Sequence, residues 1–222
     1  MAQKGIHKLG AGYERAFLSD EERNAGGRQS LLEDEKRSVS VFAVTFDLER
    51  LIRSTSPDEQ RFLLVYEIKR PSWGNPGGSV EGVETIEDTM FREFFEETGY
   101  TLPHIDEGER IVAPTLEYFR TQKFPPPSKH EKVTFLAAIY PNSPQQKFLG
   151  VSEIDKVKWF TTEEVRGLPH LPDERYKPVH PGVEYVKETH RRNIEAALAD
   201  PARLEAFAER MRQFAAAARK QL

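Results

Sequence analysis

The chain has 222 residues, a net charge of −4 and no cysteine. That length suits one α/β domain with added segments, and the missing cysteines exclude disulfides and thiolate metal sites and fit a reducing compartment. The negative balance excludes a molecule-wide cationic field for nucleic acid.

No apolar run approaches the roughly 18 residues of a membrane span, and the opening Met1-Ala2-Gln3-Lys4-Gly5-Ile6-His7 lacks the apolar core of a signal peptide. The expectation is a soluble cytoplasmic protein with neither a nucleic-acid nor a membrane partner. None of the six histidines forms a pair with zinc-like spacing, so all read as bystanders.

Residues 1–38 are polar and charge-dense. Ser19-Asp20-Glu21-Glu22 has the spacing of a capping box, Gly26-Gly27 would end the helix it starts, and the whole reads as an N-terminal arm: a mobile one, an ordered lid or a dimer element. Val39–Phe46 is rich in β-branched and aromatic residues and predicts a strand; Arg61–Ile68 predicts a second, with Ser54–Gln60 as a loop between them. Pro71–Gly78 predicts turns. Thr85–Thr98 predicts a helix closed by Gly99 as a left-handed cap. Ile111–Arg120 predicts a broken strand, Pro125-Pro126-Pro127 a stiff loop, Lys132–Tyr140 a strand and Val157–Phe160 a short one. Thr161-Thr162-Glu163-Glu164 opens a helix with a capping box. The stretch 167–182, with Pro169, Pro172, Pro178 and Pro181, reads as irregular. In the tail, Asp200-Pro201 starts a helix on which Leu204, Phe207, Met211, Phe214 and Ala218 form an apolar stripe. The division is thus an arm at 1–38, a central domain at 39–182 and a C-terminal helical extension at 183–222. The stripe packs on its own domain or serves a homodimer.

The helix at 85–98 carries the chemistry. At about 100° per residue, Ile86, Met90, Phe91, Phe94 and Phe95 fall on one apolar arc, and Glu93, Glu96 and Glu97 on a separate arc beside it. Glu93 and Glu97 are one turn apart and point the same way. Acidic runs on helices are usually solvated faces. Three clustered carboxylates repel one another, however, and a divalent cation removes that repulsion; magnesium takes oxygen ligands.

The surrounding residues decide between these readings. Gly78, Glu84 and Arg92-Glu93-Phe94-Phe95-Glu96-Glu97-Thr98-Gly99-Tyr100, at their spacings, resemble the Nudix hydrolase signature at every fixed position, and Pro76-Gly77 and Glu81-Gly82 resemble its usual phrasing. The resemblance covers about a tenth of the chain. It implies an α/β fold, an α/β/α sandwich around a mixed sheet with the box as loop–helix–loop. It also implies hydrolysis of a pyrophosphate linkage in a nucleoside diphosphate derivative, with Mg2+ or Mn2+. By position, Glu93, Glu96 and Glu97 would hold metal, with the backbone carbonyl of Gly77 or Gly78 as a further ligand, and Arg92 would pair with Glu84 to brace the box.

The general base in this family varies; it is a box glutamate or a carboxylate outside, for which Glu131 and Glu153 are candidates, each also readable as a surface group. Arg70, Arg120 and Lys123 are candidate phosphate contacts; Trp73, Tyr118 and Phe119 are candidate nucleobase platforms or packing residues; Trp159 reads as core. The arm and overall length resemble the ADP-ribose and nucleotide-sugar branch. The alternatives are a sanitising nucleoside triphosphate pyrophosphohydrolase and a non-catalytic nucleotide-binding module.

Overall fold

A computed structural model describes residues 38–103, 105–106, 111–112, 115–124, 130–146, 154–171 and 182–219. The expectations for the arm, for Pro125–Pro127 and for Glu153 lie outside these residues. Strand β1 (Ser38–Asp47) runs parallel to β7 (His130–Ile139) along its whole length, and β6 (Leu116–Lys123) pairs antiparallel on the outer side of β7. Strand β2 (Arg61–Glu67) gives one edge to β8 (Ile154–Thr161) and shares the other between β1, at Phe62 and Leu63, and β3 (Ser72–Gly74), at Val65 to Glu67. A two-residue strand, β10 (Val186–Lys187), then pairs with β3 and with β9 (His170–Leu171). The remaining two strands, β4 (Ile105–Asp106) and β5 (Ile111–Val112), form a separate ladder.

The sheet is mixed, and alternation along its strands builds a core on each face. Val41, Ala43, Leu63, Val133 and Phe135 face helix α2 (Ile86–Thr98), which offers Met90, Phe91, Phe94 and Phe95. Val44, Phe46, Phe62, Leu136 and Ala138 face helices α1 (Leu48–Arg53), α4 (Glu188–Leu198) and α5 (Pro201–Arg219). The result is the expected α/β/α sandwich, and α3 (Thr162–Gly167) follows β8 with the expected capping box at Thr161. Among the described residues no helix is long and apolar enough to cross a membrane.

Four expectations change. Pro71–Gly78 contains β3 rather than turns alone, because Trp73 is drawn into the core at 1% exposure. Ile86, at the first turn of α2, is 36% exposed and off the core. Trp159 is only partly buried, packed at the edge of the α2-side core. Leu204, Phe207 and Met211 are at most 1% exposed within this chain's own core, so the stripe on which a homodimer was considered is not a free surface.

Candidate active site

The site occupies the fork where β1 and β2 part. Beyond Thr45 and Phe46, β1 loses β2 as a partner, and residues 76–80 take the vacated edge: Ala43 N–H donates to the Pro76 carbonyl (3.0 Å), Val41 N–H to Gly78 (2.8 Å) and Val80 N–H to Val39 (2.9 Å). This close approach requires glycine. Gly77 has φ 145°, and a Cβ there would lie 2.0 Å from the Val41 carbonyl oxygen. The chain then enters α2 through Thr85, whose hydroxyl accepts from Asp88 N–H at 3.0 Å, and leaves it at Gly99 in the left-handed region, φ 69°.

Arg92 organises the loop. Its Nε and Nη2 hold the two oxygens of Glu84 (2.9 and 3.0 Å), Nη2 also reaches the Ser79 carbonyl (3.2 Å), and Nη1 reaches Glu93 (2.8 Å) and Glu96 (3.3 Å). All five guanidinium hydrogens therefore have acceptors. The Glu84 carboxylate also accepts from Thr89 (3.1 Å), and Arg92 holds its pKa below the ordinary value despite burial.

The three box carboxylates are not a solvated face. Glu96 and Glu97 are each 8% exposed. Gly77 N–H donates to Glu97 Oε2 at 2.7 Å. Burial, followed by the charge of Glu93, pushes the Glu97 pKa well above the ordinary value, and burial lifts Glu93 to about 7 although Arg92 opposes it. A Cβ at Gly78 would lie 2.3–2.5 Å from the Glu93 carboxyl group, so glycine here makes the space that carboxyl group fills. Among the described residues no three His, Asp or Glu side chains converge on one point in metal-binding geometry; Glu93 and Glu96 lie against Arg92 instead. The donor chemistry nevertheless fits magnesium or manganese: hard carboxylate oxygens, desolvated and mutually repelling, beside a glycine backbone. Of the two candidate carbonyls, that of Gly78 is engaged by β1.

The other sequence candidates scatter. Arg120 is half-buried on β6; its Nε donates to Asn193 Oδ1 at 3.1 Å, and its guanidinium lies over Phe119. It lines a cavity of about 540 Å³ with Thr121, Gln122, Phe124, Thr189 and Arg192. Arg70 is exposed in the turn between β2 and β3. Trp73 is a correction: its ring packs edge-on against Tyr66 and Phe160, and Nε1 donates to Glu184 at 3.2 Å, so it presents no face for a base. Tyr118 is 52% exposed and Phe119 8%. Glu131 and Lys123 face each other at 3.6 Å on β7 and β6.

Three groups at the fork were missed. Glu67 closes β2 and forms an ion pair with Lys187; both charges act on Glu97. His190, read as a bystander, is 2% exposed and accepts the Asn75 N–H at 2.6 Å. Asn75, also 2% exposed, bonds to it through its backbone N–H and side-chain amide, while Asn75 Oδ1 accepts no hydrogen bond among the described residues. Only the position of Asn75, just ahead of Pro76-Gly77, hinted at a role.

Comparison with known proteins identifies the domain that carries these residues. Residues 51–181 match the NUDIX domain model. The chain is 24% identical over 137 residues to the Uncharacterized Nudix hydrolase YvcI of Bacillus subtilis, spanning 57% of this chain and 75% of that one. It is 30% identical over 120 residues to Phosphatase NudJ of Escherichia coli, spanning 51% and 68%. Among solved structures, the NUDIX domain of Shewanella oneidensis NrtR complexed with ADP ribose is similar with a TM-score of 0.48 at 19% identity, covering 81% of this chain and 97% of that one. With the domain model matched over more than half of this chain and every fixed box position filled, the chain belongs to the Nudix hydrolase family and is an enzyme of the pyrophosphohydrolase type.

Proposed function

We propose that the enzyme hydrolyses the pyrophosphate linkage of a nucleoside diphosphate derivative, of ADP-ribose or nucleotide-sugar type, with Mg2+ or Mn2+. The observation that carries this is the buried Glu97 carboxylate, held by Gly77 N–H and flanked by Glu93. Two desolvated carboxylates with raised pKa values store unfavourable electrostatics that a bound divalent cation would relieve.

Glu93, Glu96, Glu97 and the Gly77 carbonyl would hold the metal, which when bound neutralises phosphate charge and acidifies a water. Gly77 N–H fixes the plane of the Glu97 carboxylate. The Glu84–Arg92 pair keeps Glu93 and Glu96 on one side of α2, so that their charges gather rather than disperse. Glu153, which precedes Ile154 in the sequence, is our candidate to take the proton from the attacking water.

The substrate's nucleoside end is assigned to the cavity beside Arg120. Its volume of about 540 Å³ lies within the usual range for small-molecule sites. Thr189 lines it, and the next residue, His190, contacts the box loop, so cavity and box meet through one turn of α4. Arg120 is the better phosphate or ribose contact: it is partly desolvated, with the neutral Asn193 as its hydrogen-bond acceptor among the described residues, whereas Arg70 is exposed.

The test is a panel of nucleotide sugars, dinucleotides and nucleoside triphosphates, with products identified by chromatography. The reading expects magnesium-dependent release of a mononucleotide from a diphosphate derivative. Glu97→Gln should lower kcat by roughly 10²-fold or more while the protein stays folded. Turnover confined to triphosphates would replace the substrate class, and full activity of Glu97→Gln would sink the site.

A further inference from the structure

His190 lies in the first turn of α4, beyond the matched segment 51–181. Its Nδ1 accepts Asn75 N–H at 2.6 Å, and its own carbonyl accepts from Asn75 Nδ2 at 3.4 Å. An accepting Nδ1 carries no proton, so the ring is neutral with its hydrogen on Nε2. Burial holds the ring far below its ordinary pKa, and Lys187 and Lys132 push the same way. The fit is close. Phe42 meets the ring edge-on at 4.7 Å, and a Cβ on Gly74 would stand 3.1 Å from Nδ1.

Two residues after Asn75, Gly77 N–H holds Glu97 at 2.7 Å. The segment between them has β1 on one side, bound through the Pro76 carbonyl, and His190 on the other. An apolar side chain could fill the space of the imidazole, but it would leave a buried amide hydrogen without an acceptor.

We propose that His190 is a positioning residue for the hydrolysis: it clamps the glycine loop from the C-terminal side and sets where the Gly77 amide meets Glu97. This rests on the reading of Glu97 as a working carboxylate. The C-terminal helices would then be part of the active-site frame, and a segment outside the matched domain would govern its geometry.

The test compares His190→Asn, His190→Gln and His190→Leu in the full chain. An asparagine Oδ1 falls near the Nδ1 position and can accept the Asn75 hydrogen; the glutamine amide is displaced by one bond and cannot. Asn and Gln are otherwise matched in polarity, so they remain informative if the Leu variant fails to fold. Hydrogen exchange across residues 72–80 and kcat and KM on the best substrate are the readouts. The expected result is parent-like exchange and kcat for Asn. For Gln, the amides of Asn75 and Gly77 should exchange faster and kcat should fall by up to roughly a hundredfold, with KM nearly unchanged. Unaltered exchange in the Gln variant overturns the clamp. Raised exchange with parent-level kcat overturns its role in the reaction. Full activity of Glu97→Gln would instead refute the functional reading beneath it, an outcome the exchange data would keep distinct.

Discussion

The two adjacent glycines of the box should fail in different ways when each is changed to alanine. At Gly78 the added Cβ would stand 2.3 Å from the Glu93 carboxyl carbon, and ordinary contact begins at 3.4 Å, so the carboxyl group must retreat by about 1 Å. The obstacle is the end of a flexible side chain, and Gly78 does not have a positive φ, so the backbone tolerates the change. Glu93 would lose its 2.8 Å bond to Arg92, costing about 1–2 kcal/mol, offset by about 0.5–1 kcal/mol from the stiffer unfolded chain. Net stability should fall by about 1.5 kcal/mol or less. A displacement of about 1 Å in a catalytic group can cost roughly a hundredfold in rate, so kcat should fall steeply. At Gly77 the obstacle is the Val41 backbone, 2.0 Å away, and φ is 145°. Relief there means parting residues 76–80 from β1, and the loss should exceed about 3 kcal/mol. Urea unfolding followed by circular dichroism, together with kcat on the best substrate, separates the two. Parent-level kcat in Gly78→Ala, or equal destabilisation by both variants, would refute the reasoning.

Metal-free protein should become less stable as pH rises from 5.5 to 7.5. Burial lifts Glu93 to about 7 from an unfolded value of 4.5, so the folded state holds the proton more tightly and its advantage disappears as pH passes through the folded pKa. Thermal unfolding across that window checks it, and a flat profile contradicts it; adding Mg2+ at pH 6.5 should release protons, visible in weakly buffered calorimetry. Arg92→Lys replaces five directed donors by three and should cost about 3 kcal/mol or more, measured by urea unfolding; a loss below about 1 kcal/mol would deny the guanidinium its bracing role. Trp73→Ala should cost about 3–5 kcal/mol by the same measurement, and Trp73→Phe should leave KM unchanged. A raised KM in a fully stable Trp73→Phe protein would restore the stacking role the burial denies it.

What could be read from the sequence followed from local rules. The capped box helix, the strands β1, β2 and β7 and the helix opening at Thr161 each rest on a period or cap spanning a few residues. Strand β8 and α1 were less visible: β8 alternates exposed lysines with half-buried residues, and α1 is six residues long, capped by Asp47 accepting from Glu49 N–H at 3.0 Å. Within the site, the box supplied Glu84, Arg92, Glu93, Glu96 and Glu97 because the spacing of one helix and its loop contains them all. It gave no hint that these carboxylates are buried, since burial depends on where residues 76–80 lie, and that depends on β1 and β2 parting.

The missed residues share a physical cause. Lys187 reaches Glu67 across 120 positions, and His190 reaches Asn75 across 115. Neither histidine nor lysine has a periodic signature, and β10, which carries Lys187 and leads into the helix of His190, is two residues long. What places both is the packing of α4 and α5 onto the sheet through Ile194, Leu198, Leu204 and Phe207. An apolar stripe that as sequence suggested only self-packing or a dimer therefore sets the height at which an imidazole meets the glycine loop. If that is right, shortening Leu204 or Phe207 to alanine should loosen hydrogen exchange at residues 74–78 as well as in the helices. Cavity formation at either site should cost about 2–5 kcal/mol in overall stability. Exchange at the loop that stayed at parent levels, while the helices loosened, would show that β1 alone holds the box.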